Sequence, residues 1–266
     1  ETNMTMFGNE ESQRSKNTAE YEYHVTDVLP NGQLKWEMTI TRYFIENTDV
    51  RGNLIEYDTS NPERDTSDSK NKLFDKMIGV PMYMTTKADG EIVSFSGADA
   101  LFDRMMELFK DKPEMAPFVE SIKKTYGDAA MIETVRNMWG DIPKKPLRIG
   151  SKWTANRSLT GIMSLNIKYT YILKSRDANR AIIATKSKTT PRSGEDSELD
   201  LGVVKIKYDL RGKGSGTMVL TQPEGTLMGA IHTVEMKGTM HMSGEKFPKM
   251  DVPISIKTTV TTEKIK

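Results

Sequence analysis

Histidine is the residue type in this chain with the most versatile chemistry, and it occurs at His24, His232 and His241. His241 lies between Met240 and Met242, and imidazole together with thioether sulfur can hold Cu(I). Alternation along a strand, however, sends His241 to the face opposite both methionines. We therefore predict that no metal is bound here. We further predict that His24 is solvated and that His232, which shares a phase with apolar residues, is a hydrogen-bonded core residue.

The other polar residues form no recognisable catalytic set. The chain has no cysteine, which excludes thiolate metal sites and a cysteine nucleophile. It also lacks the G-x-S-x-G motif of a serine nucleophile elbow. The acidic run at 195–200 does not have the spacing of a calcium loop and is typical of a solvated loop. We predict a protein that is not an enzyme and needs no cofactor. The alternative is an unrecognised hydrolase in which His232 or His241 meets carboxylates in a cleft.

Three glycines at alternate positions, Gly212, Gly214 and Gly216, suggest a phosphate loop at first sight. Such a loop needs a preceding strand, a following helix and the spacing G-x-G-x-x-G. Here strand patterns lie on both sides of the glycines. Glycine within a strand lets the strand bend or lets another backbone or an aromatic ring approach. We therefore predict a structural role for these glycines and no nucleotide site.

The composition excludes several classes of partner. The chain has 38 Lys and Arg against 37 Asp and Glu, a net charge of +1, so no overall field attracts nucleic acid. No apolar run approaches the roughly 20 residues that span a bilayer, and we predict no transmembrane segment. The 18 methionines are suited either to filling a core or to lining a site for an apolar ligand.

The elements that must position these residues follow from the hydropathy pattern. Apolar and polar residues alternate in a first β half, 1–95, and in a second β half, 141–266, which has no crossover helices and so favours antiparallel pairing. Between them, 96–140 shows helical spacing, with apolar stripes over Leu101–Phe109, Met115–Tyr126 and Met131–Met138. We predict an α+β fold, mainly antiparallel β, in one domain, 1–266. A large curved, half-barrel-like sheet would carry a block of about three helices on one face.

Two segments resemble a known family. The stretch PKKPLRIGSKW at 143–153 follows the helical block, and GKGSGT at 212–217 precedes a strand and the turn QPEG at 222–225. This order resembles an uncharacterised family of exported proteins, mostly from Bacteroidetes, in which P-x-x-P and then G-x-x-W open the second half. The turn departs from that family's D-x-x-T-G-like pattern, since Pro223 and Glu224 occupy the acidic and threonine positions. The resemblance runs from Tyr21 onward and implies a secreted or lipid-anchored β-rich protein without established catalytic residues.

The resemblance and the start of the chain together favour export. Glu1 is not an initiator methionine, and we expect that a targeting segment has been removed and that a lipid anchor lay upstream. More loosely, the order sheet–helices–sheet resembles the half-barrel of periplasmic lipoprotein carriers, which hold acyl chains between a sheet and its covering helices. We expect a periplasmic or cell-surface lipoprotein.

Two non-enzymatic hypotheses follow. In the first, the protein binds a lipid or other amphiphile between sheet and helices, with a site formed by Met105, Phe109, Phe118, Ile122, Met131 and Trp139. In the second, the core is filled and the protein is a surface module for a cell-envelope protein or a glycan, through sheet edges or through loops at 51–66 or 190–200. A continuous cavity of several hundred Å³ would favour the first hypothesis.

Overall fold

The structure is a computed structural model, and it is dominated by antiparallel strands. It describes residues 1–6, 9–48, 52–67, 69–88, 90–109, 145–159, 163–192, 198–200, 204–222, 225–244 and 247–265, together with 123, 127–129, 131–132, 135 and 142–143. Strands make up 65% of the described residues. Contacts divide the chain into two compact units, which we call the N-terminal unit (Ser12–Arg136 and Asp200–Gly202) and the C-terminal unit (Glu1–Glu11, Asn137–Leu199 and Val203–Lys266).

The N-terminal unit is a small antiparallel sheet with helices. Its strands are β2 (Asn9–Val28, of which residues 9–11 belong to the other unit), β3 (Leu34–Thr48), β4 (Leu54–Asp58), β5 (Met82–Thr86) and β6 (Ile92–Ser96). They lie in the order β6-β5-β3-β2, and β4 pairs with β3. The sequence Pro30-Asn31-Gly32 predicts a turn before β3, because Asn and Gly tolerate positive φ. The turn is present: Val28 pairs with Leu34, and Gly32 has a positive φ of 79° that glycine adopts without strain.

The predicted block of about three helices is wrong. The described residues contain two α-helices, α1 (Ser69–Asp75) and α2 (Ala98–Met106), and a 3₁₀ turn at Glu107–Phe109. Predicted helices Met115–Tyr126 and Met131–Met138 fall mostly outside the described residues. Helical spacing of apolar residues is weak evidence over short segments, because a short helix depends on packing for its stability. In α2, Leu101 and Met105 provide that packing.

The core of the N-terminal unit is rich in methionine. Met38, Met82, Met84 and Met105 are all buried in one cluster with α2 and the facing sides of β3, β5 and β6. Trp36 packs against this cluster, and its indole Nε1 donates to Thr86 Oγ1 at 2.9 Å. The unbranched thioether chains fill the irregular space between short strands and short helices.

An ion-pair network ties three strands of this unit together. Arg42 on β3 donates Nε and Nη2 to the two carboxylate oxygens of Asp58 on β4, at 3.0 and 2.5 Å, and Nη1 to Glu20 on β2 at 2.9 Å. The hydroxyl and backbone N–H of Ser60 also donate to Asp58. These donors hold the pKa of the Asp58 carboxyl well below its usual range.

The C-terminal unit is a larger antiparallel sheet. Its strands are β1 (Thr2–Met6), β7 (Lys152–Leu159), β8 (Leu165–Arg176), β9 (Arg180–Pro191), β10 (Glu198–Asp200, of which Asp200 belongs to the other unit), β11 (Lys205–Thr221), β12 (Leu227–Gly244) and β13 (Phe247–Glu263). Neighbours follow the order β1-β13-β12-β11-β9-β8-β7, and β10 pairs with β11. We call its apolar side the inner face and the opposite, solvated side the outer face. Buried residues such as Leu165, Leu210 and Val252 lie on the inner face.

Replacing Asp58 by Asn is expected to destabilise the N-terminal unit. The Asn side chain has one acceptor oxygen and cannot accept both hydrogen bonds from Arg42. We therefore expect the free energy of unfolding at pH 7 to fall by about 1–3 kcal/mol, the usual value for a hydrogen bond to a charged group. Because the pKa of Asp58 is depressed in the folded state, its contribution is present above the ordinary pKa of about 3.9 and is lost as the pH falls further. Urea unfolding at pH 7 and at pH 3 measures both effects.

Asp27→Asn is the matched control, since Asp27 pairs with Lys35 at 3.5 Å on an exposed surface. Exposed pairs contribute little, and we expect a change below about 1 kcal/mol. Equal losses in the two variants would contradict the role assigned to the Arg42 network.

Candidate functional site

The inner face of the C-terminal unit carries a polar cluster around His232. The imidazole of His232 on β12 lies 2.9 Å from Thr185 Oγ1 through Nδ1 and 2.9 Å from Ser187 Oγ through Nε2. Both hydroxyls are on β9 and both residues are buried. The prediction that His232 is hydrogen-bonded is thus confirmed, and its side chain is half-buried beside the two hydroxyls. Burial lowers the pKa of the imidazole, so the neutral form is favoured in the fold.

The glycines of β11 allow this contact. β11 lies between β9 and β12, with Gly216 opposite both Thr185 and His232 and Gly214 opposite Ser187. A Cβ at Gly214 would lie 2.5 Å from Ser187 Oγ and 2.7 Å from His232 Nε2, and one at Gly216 would lie 2.8 Å from His232 Nδ1. The imidazole therefore crosses over a strand that has no side chain at these positions, as the sequence predicted for an approaching aromatic ring.

Aromatic rings extend from this cluster toward the edge of the sheet. Tyr169 lies 5.7 Å from His232 and 5.9 Å from Tyr171 between ring centroids, and Tyr171 stacks on Trp153 at 5.4 Å. The rings belong to β7, β8 and β12, so aromatic packing joins strands that are not all neighbours. Trp153 thereby anchors β7 to β8 at the start of the sheet.

The neighbouring serine and histidine do not form a complete nucleophilic dyad. A serine nucleophile needs a base that is itself oriented by a third group, commonly a carboxylate, and needs access to substrate. Here the other ring nitrogen of His232 meets the Thr185 hydroxyl, and Ser187 is only 6% exposed. The third group is thus a neutral hydroxyl and not a carboxylate, and burial of Ser187 keeps its hydroxyl away from a substrate in solution.

The remaining histidines lie apart from this cluster. His241 Nδ1 is 2.7 Å from Asp251 Oδ1 on the outer face, whereas Met240 is buried on the inner face, as alternation predicted. His24 is 3.3 Å from Glu22, and its side chain is 59% exposed, so the prediction of a solvated residue is confirmed. Within the described ranges, no three His, Asp or Glu residues come together as a metal site.

Only part of the predicted amphiphile site can be located. Met105 is buried in the methionine-rich core, and Met131 packs against it. The side chain of Phe109 and the residues Phe118, Ile122 and Trp139 lie outside the described residues. Met105 does not line either of two pockets formed by described residues: one is lined by Asn31 and Lys87 and the other by residues of β7–β9. The role of these residues in ligand binding stays a prediction.

The outer face of the C-terminal unit concentrates positive charge. On β8, β9 and β11 it carries Lys168, Lys186, Lys188, Lys205, Lys207, Arg211 and Lys213, and the acidic residue Asp209. Alternation puts these side chains in solvent while their sequence neighbours are buried or half-buried. A face with several positive charges therefore exists in a chain whose net charge is only +1.

Three of these lysines form what we call the lysine row, Lys168, Lys188 and Lys213. Lys168 pairs in register with Lys188, and Lys188 pairs with Lys213, so the row runs across three adjacent strands. Among the described residues, no ion pair neutralises the row; Glu235, opposite Lys213, pairs with Lys257 at 3.0 Å instead. Like charges directly opposite each other on neighbouring strands are destabilising. A bound anion would offset this repulsion, so the row is a candidate binding site for a negatively charged partner.

A shallow groove adjoins the lysine row. Its volume is about 350 Å³, and its lining includes Lys168, Lys188, Asn156, Ser158, Asn166 and Thr190. Asn156 lies opposite Lys168 and extends the row onto β7. Ser158, Asn166 and Thr190 are register partners too, and they form a second, uncharged row beside the first. The groove can therefore offer cations and neutral hydrogen-bonding groups side by side.

The net charge of the chain does not reveal this surface. The signal was present in the alternation Lys186-x-Lys188, Lys205-x-Lys207 and Arg211-x-Lys213, which repeats cations with a period of two. What could not be read from one strand is the register that brings Lys168, Lys188 and Lys213 into line.

Fold and surface together define an antiparallel β-rich protein with a cationic outer face. In the described part, every helix is too short and too polar to cross a membrane. The chain belongs to DUF6263, a family of unknown function whose model matches residues 31–227. The predicted membership of an uncharacterised family is confirmed at that level. The match covers the lysine row and the glycines of β11, and it ends before His232. No curated protein matches this chain.

Replacing Gly216 by Ala is expected to destabilise the C-terminal unit. The added Cβ would collide with the backbone of Ile231 and with the ring of His232, so we expect a loss of about 1–3 kcal/mol. Gly229→Ala on β12 is the control, because its Cβ would meet only the carbonyl of Thr262 at 3.4 Å. Urea titration followed by hydrogen exchange of peptides from β11 measures both. A stable Gly216→Ala protein would contradict the close approach of His232.

The stability of the C-terminal unit should depend on the titration of His232. Since burial lowers its pKa, folding favours the neutral ring, and stability falls as the pH drops below the ordinary value of about 6.5. We expect His232→Gln to be less stable than wild type at pH 7.5 but to lose less stability on going to pH 5. His24→Gln, at an exposed site, should keep the wild-type slope. Thermal unfolding at several pH values measures these slopes. Parallel plots of stability against pH for wild type and His232→Gln would refute the role assigned to the titration of His232.

Proposed function

We propose that this protein is an exported, non-enzymatic binding module that docks an anionic partner on the outer face of its C-terminal unit. The observation that supports the proposal is the lysine row, in which three exposed lysines lie directly opposite one another; Glu235, the carboxylate opposite Lys213, forms its ion pair with Lys257 instead. Like charges on neighbouring strands repel, so the sheet would be more stable without this alignment. We infer that the three lysines are aligned because they bind a partner. Export rests on the resemblance to exported proteins.

The surface hypothesis is preferred to an amphiphile carrier on two grounds. The carrier hypothesis placed its ligand between the sheet and a block of about three helices, and that block was a wrong prediction. Met105 and Met131 also pack with other apolar residues in the core of the N-terminal unit. A filled core with polar binding surfaces elsewhere is what the surface hypothesis requires.

The non-enzymatic part of the proposal is supported by the His232 cluster. It is the one place in the described structure where a hydroxyl and an imidazole meet on the inner face, and the hydroxyl is buried. Titratable groups gathered in an accessible cleft would have favoured an enzyme. The groove on the outer face instead offers lysines, amides and hydroxyls.

The proposal predicts that neutralising the lysine row strongly weakens binding to a soluble polyanion. We expect Lys168→Gln/Lys188→Gln/Lys213→Gln to weaken binding to dextran sulfate by roughly 100-fold, at about 1 kcal/mol for each lysine near an anionic surface. Wild-type binding should also weaken as salt shortens the screening length. Titration calorimetry at low and high salt provides the measurement.

The matched control removes the same charge elsewhere. Lys35, Lys76 and Lys87 lie on the N-terminal unit, and each pairs with a carboxylate. Changing these three to Gln gives the same net charge as the row variant, and we expect near wild-type affinity. Equal losses in the two triple variants would show that only net charge matters, and absence of wild-type binding at low salt would refute the proposal outright.

A further inference from the structure

The partner class can be narrowed by the arrangement of groups on the outer face. We propose that the lysine row and its groove bind an acidic polysaccharide built from uronic acid residues, laid across the strands. This inference rests on the proposed function, since it names the anion that the cationic face takes. Its support comes from spacing, from the second row of neutral groups and from the absence of an apolar flank.

The spacing of the lysine row suits a regular linear polyanion. Lys168, Lys188 and Lys213 are direct register partners, so their strands repeat at about 4.8 Å. This repeat is comparable to the length of one sugar ring in an extended chain. A polymer whose carboxylates recur along its length can therefore meet successive lysines when it crosses the strands at right angles.

The neutral row provides what a sugar needs in addition to charge. Asn156, Ser158, Asn166 and Thr190 present amide and hydroxyl groups on β7, β8 and β9. Ser158 Oγ donates to Asn166 Oδ1 at 3.0 Å, which leaves the amide N–H groups of Asn166 available to an acceptor. Sugar hydroxyls both donate and accept, and they match such a set. A partner recognised by charge alone would not use these residues.

The surroundings of the lysine row do not suit an anionic membrane. Surfaces that bind membranes usually combine cations with apolar or aromatic side chains that insert at the headgroup level. The nearest outer-face neighbours on β8, β9 and β11 are Thr170, Lys186, Ser215 and Arg211. The side chains nearest to the lysine row are therefore polar, and a surface of this kind can lie along a hydrated polymer.

The test compares three probes on the full chain: polygalacturonate, dextran sulfate, and vesicles of phosphatidylglycerol with phosphatidylcholine. We expect wild type to bind polygalacturonate and not its fully methyl-esterified form, which has the same backbone without the charge. Asn166→Ala/Thr190→Ala should weaken binding to polygalacturonate at least about tenfold, the effect of losing one or two hydrogen bonds. It should leave binding to dextran sulfate within about twofold, while the lysine-row variant loses both.

The outcomes separate this inference from the proposed function. Binding to dextran sulfate without binding to polygalacturonate would overturn the polysaccharide inference and leave the anionic site standing. Equal binding of polygalacturonate by wild type and Asn166→Ala/Thr190→Ala would overturn it too, and vesicle binding tighter than polygalacturonate binding would point to a membrane instead. Failure of every probe would refute the proposed function itself. Circular dichroism and thermal unfolding of each variant check that the fold is retained.

Discussion

The packing of the C-terminal unit depends on the imidazole of His232, which lies across the glycines of β11. Because β11 has glycine at 214 and 216, His232 on β12 reaches the hydroxyls of Thr185 and Ser187 on β9. This contact joins strands that are not neighbours, and it satisfies polar groups that burial would otherwise make costly. Because Gly214 and Gly216 have no side chains, the imidazole lies directly against the backbone of β11. The aromatic rings of β7 and β8 continue this packing toward the edge of the sheet.

The second organising feature is the strict alternation of the long strands. On β9 and β11, alternate residues on the inner face are buried or half-buried, and Lys186, Lys188 and Lys213 between them are exposed on the outer face. The register of β9 against β11 therefore determines both the His232 cluster and the lysine row. It places Gly214 opposite Ser187 on the inner face and Lys213 opposite Lys188 on the outer face. A slip of one residue would exchange the two faces and bury the lysines.

The sequence predicted local features well and long-range ones poorly. Period-two patterns identified β3, β8 and β11, and the turn at Gly32 was correct, because these depend on residues close in the chain. The role of the glycines and the burial of His232 followed from phase alone. The predicted helical block was wrong because apolar spacing alone does not specify the packing partners on which short helices depend. The lysine row could not be predicted, since it requires the register of three strands, and net charge conceals a charge difference between two faces.

The lysine row also has a consequence for how molecules of this protein meet one another. Two broad, flat sheets can stack face to face, and exposed strands can recruit further strands, which leads to aggregation. A face bearing Lys168, Lys188 and Lys213 in line would meet the identical positive face of a second copy, so stacking on this side is opposed by repulsion. The charge on the outer face therefore opposes this mode of self-association, whatever else the face binds.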